Sequence, residues 1–339
     1  MSEHTKSLPE IDFVRHTLTQ HGIEVEIWNY GGIINDIRVA DRDGVMESVV
    51  LGLETVQEYQ NHSPYFGAIV GRVAGRIGQA RMEVEGTVYP LAANEGEHHL
   101  HGGIHGFDQA LFEVMEMTET RLHLRHVSPD GAEGYPGTVT LDAIYQLDGL
   151  ALTLTMEATT DQTTPLNLTN HTYWNLSGNL RRDILDHRLQ VPSDTYLPVG
   201  DDLLPTGEVR DVTGTPLDFR TGRSIRSGAE SGHPETTAAG NGYDHPFVLS
   251  GQAIRLEDPA SGRFLEVTTD QPVVVLYTGT QLEKNYTIRG VTSRPSLGLC
   301  LETQIHPNAV KEASFPDVLV RPDETYRWET TYRFGTDGS

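Results

Sequence analysis

Ala151-Leu-Thr-Leu-Thr-Met156, Arg263-Phe-Leu-Glu-Val-Thr268 and Trp328-Glu-Thr-Thr-Tyr-Arg-Phe334 decide the fold class. Apolar and polar residues alternate in each. Successive side chains of a strand point to opposite faces, so a period of two describes a strand with one face on a core. The same alternation recurs in Ile23-Glu-Val-Glu-Ile-Trp28, Arg81-Met-Glu-Val-Glu85 and Arg121-Leu-His-Leu-Arg125. Turn residues separate such stretches: Asp43-Gly44, Asp130-Gly131, Pro136-Gly137 and Asp148-Gly149. Helical periodicity is scarce, and its best candidate is the short piece Leu53–Asn61. Strands do not alternate with helices, which argues against a parallel doubly wound sheet. The expectation is an all-β protein. It is one large antiparallel β-sandwich with few short helices, filling 1–339 as a single domain.

Charge narrows the function classes. The 339 residues hold 25 Lys+Arg against 48 Asp+Glu, a formal net charge of −23. Neutralising phosphates needs a basic surface, so a nucleic-acid partner is not expected. The same argument excludes docking on anionic lipid. Three of the basic residues are lysines (Lys6, Lys284 and Lys311), and the rest are arginines. Cys300 is the one cysteine, so no intramolecular disulfide can form, which fits a reducing compartment. Residues 1–10 are polar and carry no apolar core of a secretory signal. No apolar run approaches the ~18 residues of a spanning helix. A cytoplasmic location with no membrane partner is therefore expected.

Three segments bear chemistry. In Leu166-Asn-Leu-Thr-Asn-His-Thr-Tyr-Trp-Asn-Leu-Ser-Gly178, strand period puts Leu166 and Leu168 on one face. Asn167, Thr169, His171 and Tyr173 then share the other, a polar and aromatic face suited to a carbohydrate. A solvated sheet face carrying a histidine by chance reads the same pattern equally well. In Ser296-Leu-Gly-Leu-Cys-Leu-Glu-Thr-Gln304, Leu297, Leu299 and Leu301 point one way, and Gly298, Cys300, Glu302 and Gln304 the other. Glu302 then leaves a nearly apolar strand. Desolvation there raises a carboxyl pKa toward the range a base needs, although a structural salt bridge would also explain it. Cys300 reads as a small buried hydrophobe, not a nucleophile. The third segment, Glu95-Gly-Glu-His-His-Leu-His-Gly-Gly-Ile-His-Gly-Phe107, holds four histidines. Glycines surround them and no cysteine ligand or H-E-x-x-H accompanies them, so a zinc site is disfavoured. Gly102-Gly103 instead suggests a tight bend that presents His101. Gly67–Gly78 matches neither a dinucleotide fingerprint nor a P-loop. The Gly-, Ser-, Ala- and Thr-rich stretch Thr221–Asn241 reads as a long surface loop, one that could shape a site or equally be a tolerated insertion.

Together these segments resemble the aldose 1-epimerase (galactose mutarotase) family. The residues that carry the resemblance are Gly71-Arg-Val-Ala-Gly-Arg76, Leu100-His-Gly-Gly103 with Gly106-Phe-Asp108, and Asn170-His-Thr-Tyr-Trp-Asn-Leu-Ser-Gly178. Gly242-Tyr-Asp-His245, Tyr277-Thr-Gly279, Cys300-Leu-Glu-Thr-Gln304, Phe315-Pro316 and Leu319-Val-Arg-Pro322 complete it, in the family's order. The resemblance implies the galactose mutarotase-like supersandwich with an open sugar cleft. It implies His171 as general acid and Glu302 as general base, with Arg76, His101 and Asp244 on the sugar. Tyr173, on the face of His171, joins them as a binding residue. No cofactor and no metal are implied. The family pattern has asparagine before its second arginine, where this chain has Gly75.

The activity implied is interconversion of α and β anomers of hexopyranoses such as D-galactose and D-glucose, in a monomer or homodimer. Two readings compete: a hexose-6-phosphate 1-epimerase, which needs a cationic clamp, and a non-catalytic sugar-binding protein, which needs no acid–base pair.

Overall fold

The computed structural model describes residues 12–337, and residues 1–10, read above for a secretory signal, lie outside that range. Alternating sequence becomes alternating burial. In strand Val139–Asp148 the odd-numbered Val139, Leu141, Ala143, Tyr145 and Leu147 are buried, and the residues between them are not. Its neighbour Ala151–Thr160 pairs with it antiparallel, Asp148 opposite Ala151. Gly149 sits at the first central position of the two-residue turn with φ 58°, as a type II′ hairpin requires. A second tight hairpin joins Arg81–Val84 to Thr87–Pro90, with positive φ at both Glu85 (48°) and Gly86 (81°). That is the type I′ signature, whose twist matches the strands.

Two large antiparallel sheets result. The first has nine strands in the order Glu113–Met117, Arg121–Ser128, Val139–Asp148, Ala151–Thr160, Tyr326–Thr336, Arg263–Thr269, Ile254–Glu257, Arg188–Gln190, Arg223–Ser224. The second has six: Tyr173–Trp174, Leu299–Gln304, Val273–Tyr277, Asp244–Val248, Thr195–Tyr196, Arg210–Asp211. A four-stranded sheet from Arg15–Gln20 to Met46–Ser48 adds to the wall. The inner faces meet in one apolar cluster. Met156, Trp328, Tyr332 and Phe334 come from the nine-stranded sheet, and Trp174, Phe247, Leu276, Leu299 and Leu301 from the six-stranded one. This is the all-β sandwich expected from the sequence.

The six-stranded sheet therefore has an outer face, and that face carries the chemistry. Leu299 and Leu301 enter the main core, so Cys300, Glu302 and Gln304 must point outward. Leu297 departs from the expected leucine stripe. It lies before the strand starts and packs with Cys300 and Tyr173 in a second apolar cluster. The few helices are short. The expected one runs Val56–His62, closed by a capping box of Thr55 and Glu58.

Candidate active site

Register brings distant segments onto one spot. Tyr173 pairs with Cys300, Val275 with Glu302, and Tyr277 with both Cys300 and Asp244. Two residues from Tyr173, His171 is tied by its backbone to a neighbouring segment. Its N–H donates to the Ala68 carbonyl (2.9 Å) and its carbonyl accepts from Gly67 (3.1 Å). The expected continuous strand through 166–173 is not formed. Only Thr169–Asn170 and Tyr173–Trp174 are strand, and 163–178 is buried on both faces. The irregularity comes from Asn170, whose side chain bonds the Gly67 carbonyl and the Thr172 hydroxyl.

His101 arrives by the glycine bend. It has φ 52°, followed by Gly102 (86°) and Gly103 (108°). A Cβ at Gly102 would collide with the carbonyl of Gly71, so only glycine fits there. The Gly75 N–H donates to His101 Nδ1 (3.1 Å), which leaves Nε2 for other partners. The other three histidines of that segment go elsewhere. His98 accepts from the Gln79 N–H, His99 bonds Ala92 and Tyr135, and His105 is exposed.

The assembled cleft has about 890 Å³ of empty space, part of it open solvent. All six expected site residues line it: Arg76, His101, His171, Tyr173, Asp244 and Glu302. His171 Nε2 stands 3.4 Å from Glu302 Oε1, both side chains about 95 % buried. His171 Nδ1 meets Cys300 Sγ at 3.5 Å. The imidazole of His171 packs against Tyr65, His101 and Tyr173, with ring centroids 5.6, 5.2 and 5.1 Å away. Tyr173 supplies wall: its hydroxyl donates to the Pro64 carbonyl (3.2 Å).

Burial governs the titration. Desolvation pushes the Glu302 carboxyl well above the ordinary glutamate range, helped by nearby Asp244 and opposed by Arg76. The same burial pulls His171 down to about 4. His101 is lowered too, by burial and by His171 and Arg76. Asp244 is raised by desolvation against the pull of Arg76 and His245. The Cys300 thiol is pushed up, which makes it inert.

Sequence reasoning missed four contributors. Glu95 grips Arg76 through two short bonds, 2.6 and 2.7 Å, and fixes the guanidinium at the cleft edge. Tyr65, at φ 68°, packs against both histidines, edge-on to His101 and tilted against His171. Tyr277 lines the cleft beside them. Gln304 lines it with neither amide atom bonded, although the residue is 1 % exposed. Its place in the outward row of Leu299–Gln304 was the available signal.

The stretch Thr221–Asn241 does not line the cleft. Ser224 and His233 cap two short helices inside it, Ile225–Ala229 and Pro234–Ala238. Glu235 then reaches His245 (3.5 Å), the neighbour of Asp244, so the segment supports the site from behind. Among the described residues, one trio could share a cation. His101, His171 and Glu302 each offer a ligand atom, all within 4.8 Å of one another.

A family model described as Aldose 1-epimerase matches residues 15–333. The chain belongs to the aldose 1-epimerase family. Family relatives agree over nearly the full length. The galactose mutarotase of Homo sapiens is 41% identical over 318 residues, 92% of this chain and 91% of that one. The aldose 1-epimerase of Haemophilus influenzae is 32% identical, covering 93% of each. Among solved structures, a GalM/aldose epimerase homologue from C. elegans superposes with TM-score 0.88 at 29% identity, over 96% of this chain and 99% of that one. Galactose 1-epimerase from Lactobacillus acidophilus gives 0.84 at 28%, over 97% and 99%. The chain is thus a carbohydrate isomerase with mutarotase activity. Among the described residues no helix is long and apolar enough to cross a membrane.

Proposed function

We propose that the chain, acting as one domain, interconverts the α and β anomers of D-galactose and D-glucose, with Glu302 and His171 as its acid–base pair. The observation that carries this is the buried carboxyl and imidazole 3.4 Å apart in an open cleft. In the reacting form Glu302 is ionised and His171 protonated. Glu302 takes the proton of the C1 hydroxyl, and His171 gives its proton to the ring oxygen. The C1–O5 bond breaks, and C1 becomes the carbonyl of an open aldehyde. Both transfers turn an ion pair into a neutral pair, which desolvation favours. Rotation about C1–C2 exposes the other carbonyl face, and the reverse transfers close the ring. Each positioned proton transfer contributes about 10²–10⁴ in rate.

Arg76, held by Glu95, and Asp244, His101 and Gln304 anchor the remaining hydroxyls while C1 turns. A phosphorylated hexose fits less well. Among the described residues Arg76 is the one lysine or arginine lining the cleft, and Glu95 already occupies it bidentately. Freshly dissolved α-D-galactose or α-D-glucose, followed by polarimetry, tests the reading. Decay of rotation should be accelerated, and unchanged decay with both sugars refutes it.

A further inference from the structure

A buried histidine lies behind Asp244, on the core face of the six-stranded sheet. In strand Asp244–Val248 the period of two puts His245 and Phe247 on one side, and Phe247 belongs to the main apolar cluster. His245 is 0 % exposed. An imidazole in such a place is costly unless its nitrogens are satisfied. Its two nitrogens link the cleft to the surface of the protein.

Nδ1 faces the cleft residue. Strand Thr195–Tyr196 pairs with Val248 and Phe247, and the Leu197 N–H reaches the Pro246 carbonyl, so Asp244 lies beyond that ladder. The Asp244 N–H donates instead to Nδ1 of His245 (3.2 Å). A neutral imidazole that accepts at Nδ1 carries its proton on Nε2. Nε2 stands 3.5 Å from Oε2 of Glu235, on helix Pro234–Ala238. The other oxygen of Glu235 accepts from the Tyr196 hydroxyl and from Arg210 Nη1, each at 3.1 Å. Strands Thr195–Tyr196 and Arg210–Asp211 thus clamp the carboxylate from one side and turn its second oxygen toward the imidazole. Contact with His245 holds the Glu235 carboxyl below the ordinary glutamate range, against desolvation.

We propose that Glu235 is a positioning residue for sugar binding, acting through His245 on the backbone of Asp244. With Glu235 in place the proton of His245 stays on Nε2 and Nδ1 stays an acceptor. Without it the ring can carry the proton on Nδ1, which sets two donors against each other and shifts the Asp244 peptide. The direction in which the Asp244 side chain enters the cleft shifts with it. The inference rests on Asp244 as a sugar anchor and adds to it a residue outside the cleft.

Polarimetric kinetics with D-galactose test it in Glu235→Ala, Glu235→Gln, Asp244→Ala and the double variant Glu235→Ala/Asp244→Ala. Glu235→Ala should raise KM about three- to tenfold, the cost of one misdirected hydrogen bond, with kcat within about twofold of wild type. Glu235→Gln keeps an acceptor oxygen for the Nε2 proton and should bring KM back to within about twofold of wild type. In the Asp244→Ala background the effect of Glu235→Ala on kcat/KM should vanish, because the two residues act as one unit. KM is a property of the folded molecules, so lost stability alone does not reproduce this pattern. An unchanged KM in Glu235→Ala, or the same loss of kcat/KM in both backgrounds, overturns the relay. So does a KM in Glu235→Gln as high as in Glu235→Ala. If Asp244→Ala itself leaves KM unchanged, Asp244 is no anchor and the relay falls with that reading. If Asp244→Ala raises KM and Glu235→Ala does not, the relay alone falls.

Discussion

Replacing Glu302 by glutamine separates catalysis from stability. The amide is nearly isosteric with the acid, so packing against His171 is retained. It cannot take a proton from the C1 hydroxyl. Loss of a positioned base costs about 10²–10⁴ in rate, or roughly 3–5.5 kcal/mol of transition-state stabilisation. Stability moves the other way. The folded-state pKa of Glu302 is raised well above its ordinary value of 4.5. Below that value both states hold the proton and the group is neutral to folding. As pH rises above it, the unfolded chain ionises while the buried carboxyl does not, so the wild type loses stability up to the folded pKa. The slope is about 1.4 kcal/mol per pH unit at most. His171, lowered to about 4, acts oppositely: its stability contribution is present at neutral pH and lost as pH falls. It is present in both proteins and drops out of the difference to first order. Denaturant unfolding at pH 5 and pH 7 should show Glu302→Gln gaining up to about 2.7 kcal/mol on the wild type between them. Polarimetry should show a hundredfold or larger loss of rate, by the estimate for one base. A flat stability difference refutes the raised carboxyl, and a retained rate above about a tenth of wild type refutes the base.

In the proposed mechanism the pair works with one proton between its two members, so the pH profile of kcat/KM should be bell-shaped. Its acid limb should lie near pH 4, where His171 and Glu302 are both protonated, and a limb near 6.5 would show an unburied imidazole. Glu95→Ala frees the guanidinium of Arg76 and should raise KM for galactose by about tenfold with a smaller change in kcat, read by polarimetric kinetics. Arg72 contrasts with Arg76. Its guanidinium is 2 % exposed and bonds Ser128 and the carbonyls of Ser128, Pro129 and Pro136. Arg72→Met should cost about 3–5 kcal/mol in chemical denaturation, since those carbonyls lose their partner, and leave the KM for galactose of the folded fraction within twofold.

Local pattern carried the reading as far as local pattern reaches. Alternation located the strands because burial of one face imposes a period of two, and the outward direction of Glu302 followed from Leu299 and Leu301. The carboxylate in an apolar strand was visible for the same reason. Glu95 was not, because a Glu-Gly-Glu turn looks solvated until Arg76 is placed opposite it. Tyr65 was hidden by its positive φ, which no sequence period encodes. The segment Thr221–Asn241 was misread because its glycines, serines and threonines describe a loop, whereas Ser224 and His233 act as caps of short helices held by tertiary packing. Pairings such as Tyr173 with Cys300 join positions far apart in the chain, so the distance from His171 to Glu302 could not be read locally.

Gly75 shows how a departure from the family pattern can keep one role of a residue and drop another. The position has φ 71°, which asparagine tolerates better than other side chains, so glycine and asparagine both suit the backbone there. The backbone role persists: the Gly75 N–H still donates to His101 Nδ1 and so still sets the ring nitrogen that faces the cleft. Only the side-chain amide is gone. A Cβ at this position would stand 3.2 Å from the Cβ of Pro307, itself a lining residue, so the missing side chain belongs to the cleft wall. Nothing about it touches the 3.4 Å approach of His171 to Glu302. In the proposed reaction the substitution therefore bears on how the sugar is gripped near Arg76 and His101. The proposed proton transfers are left to the pair that the outer face of strand Leu299–Gln304 helps to position.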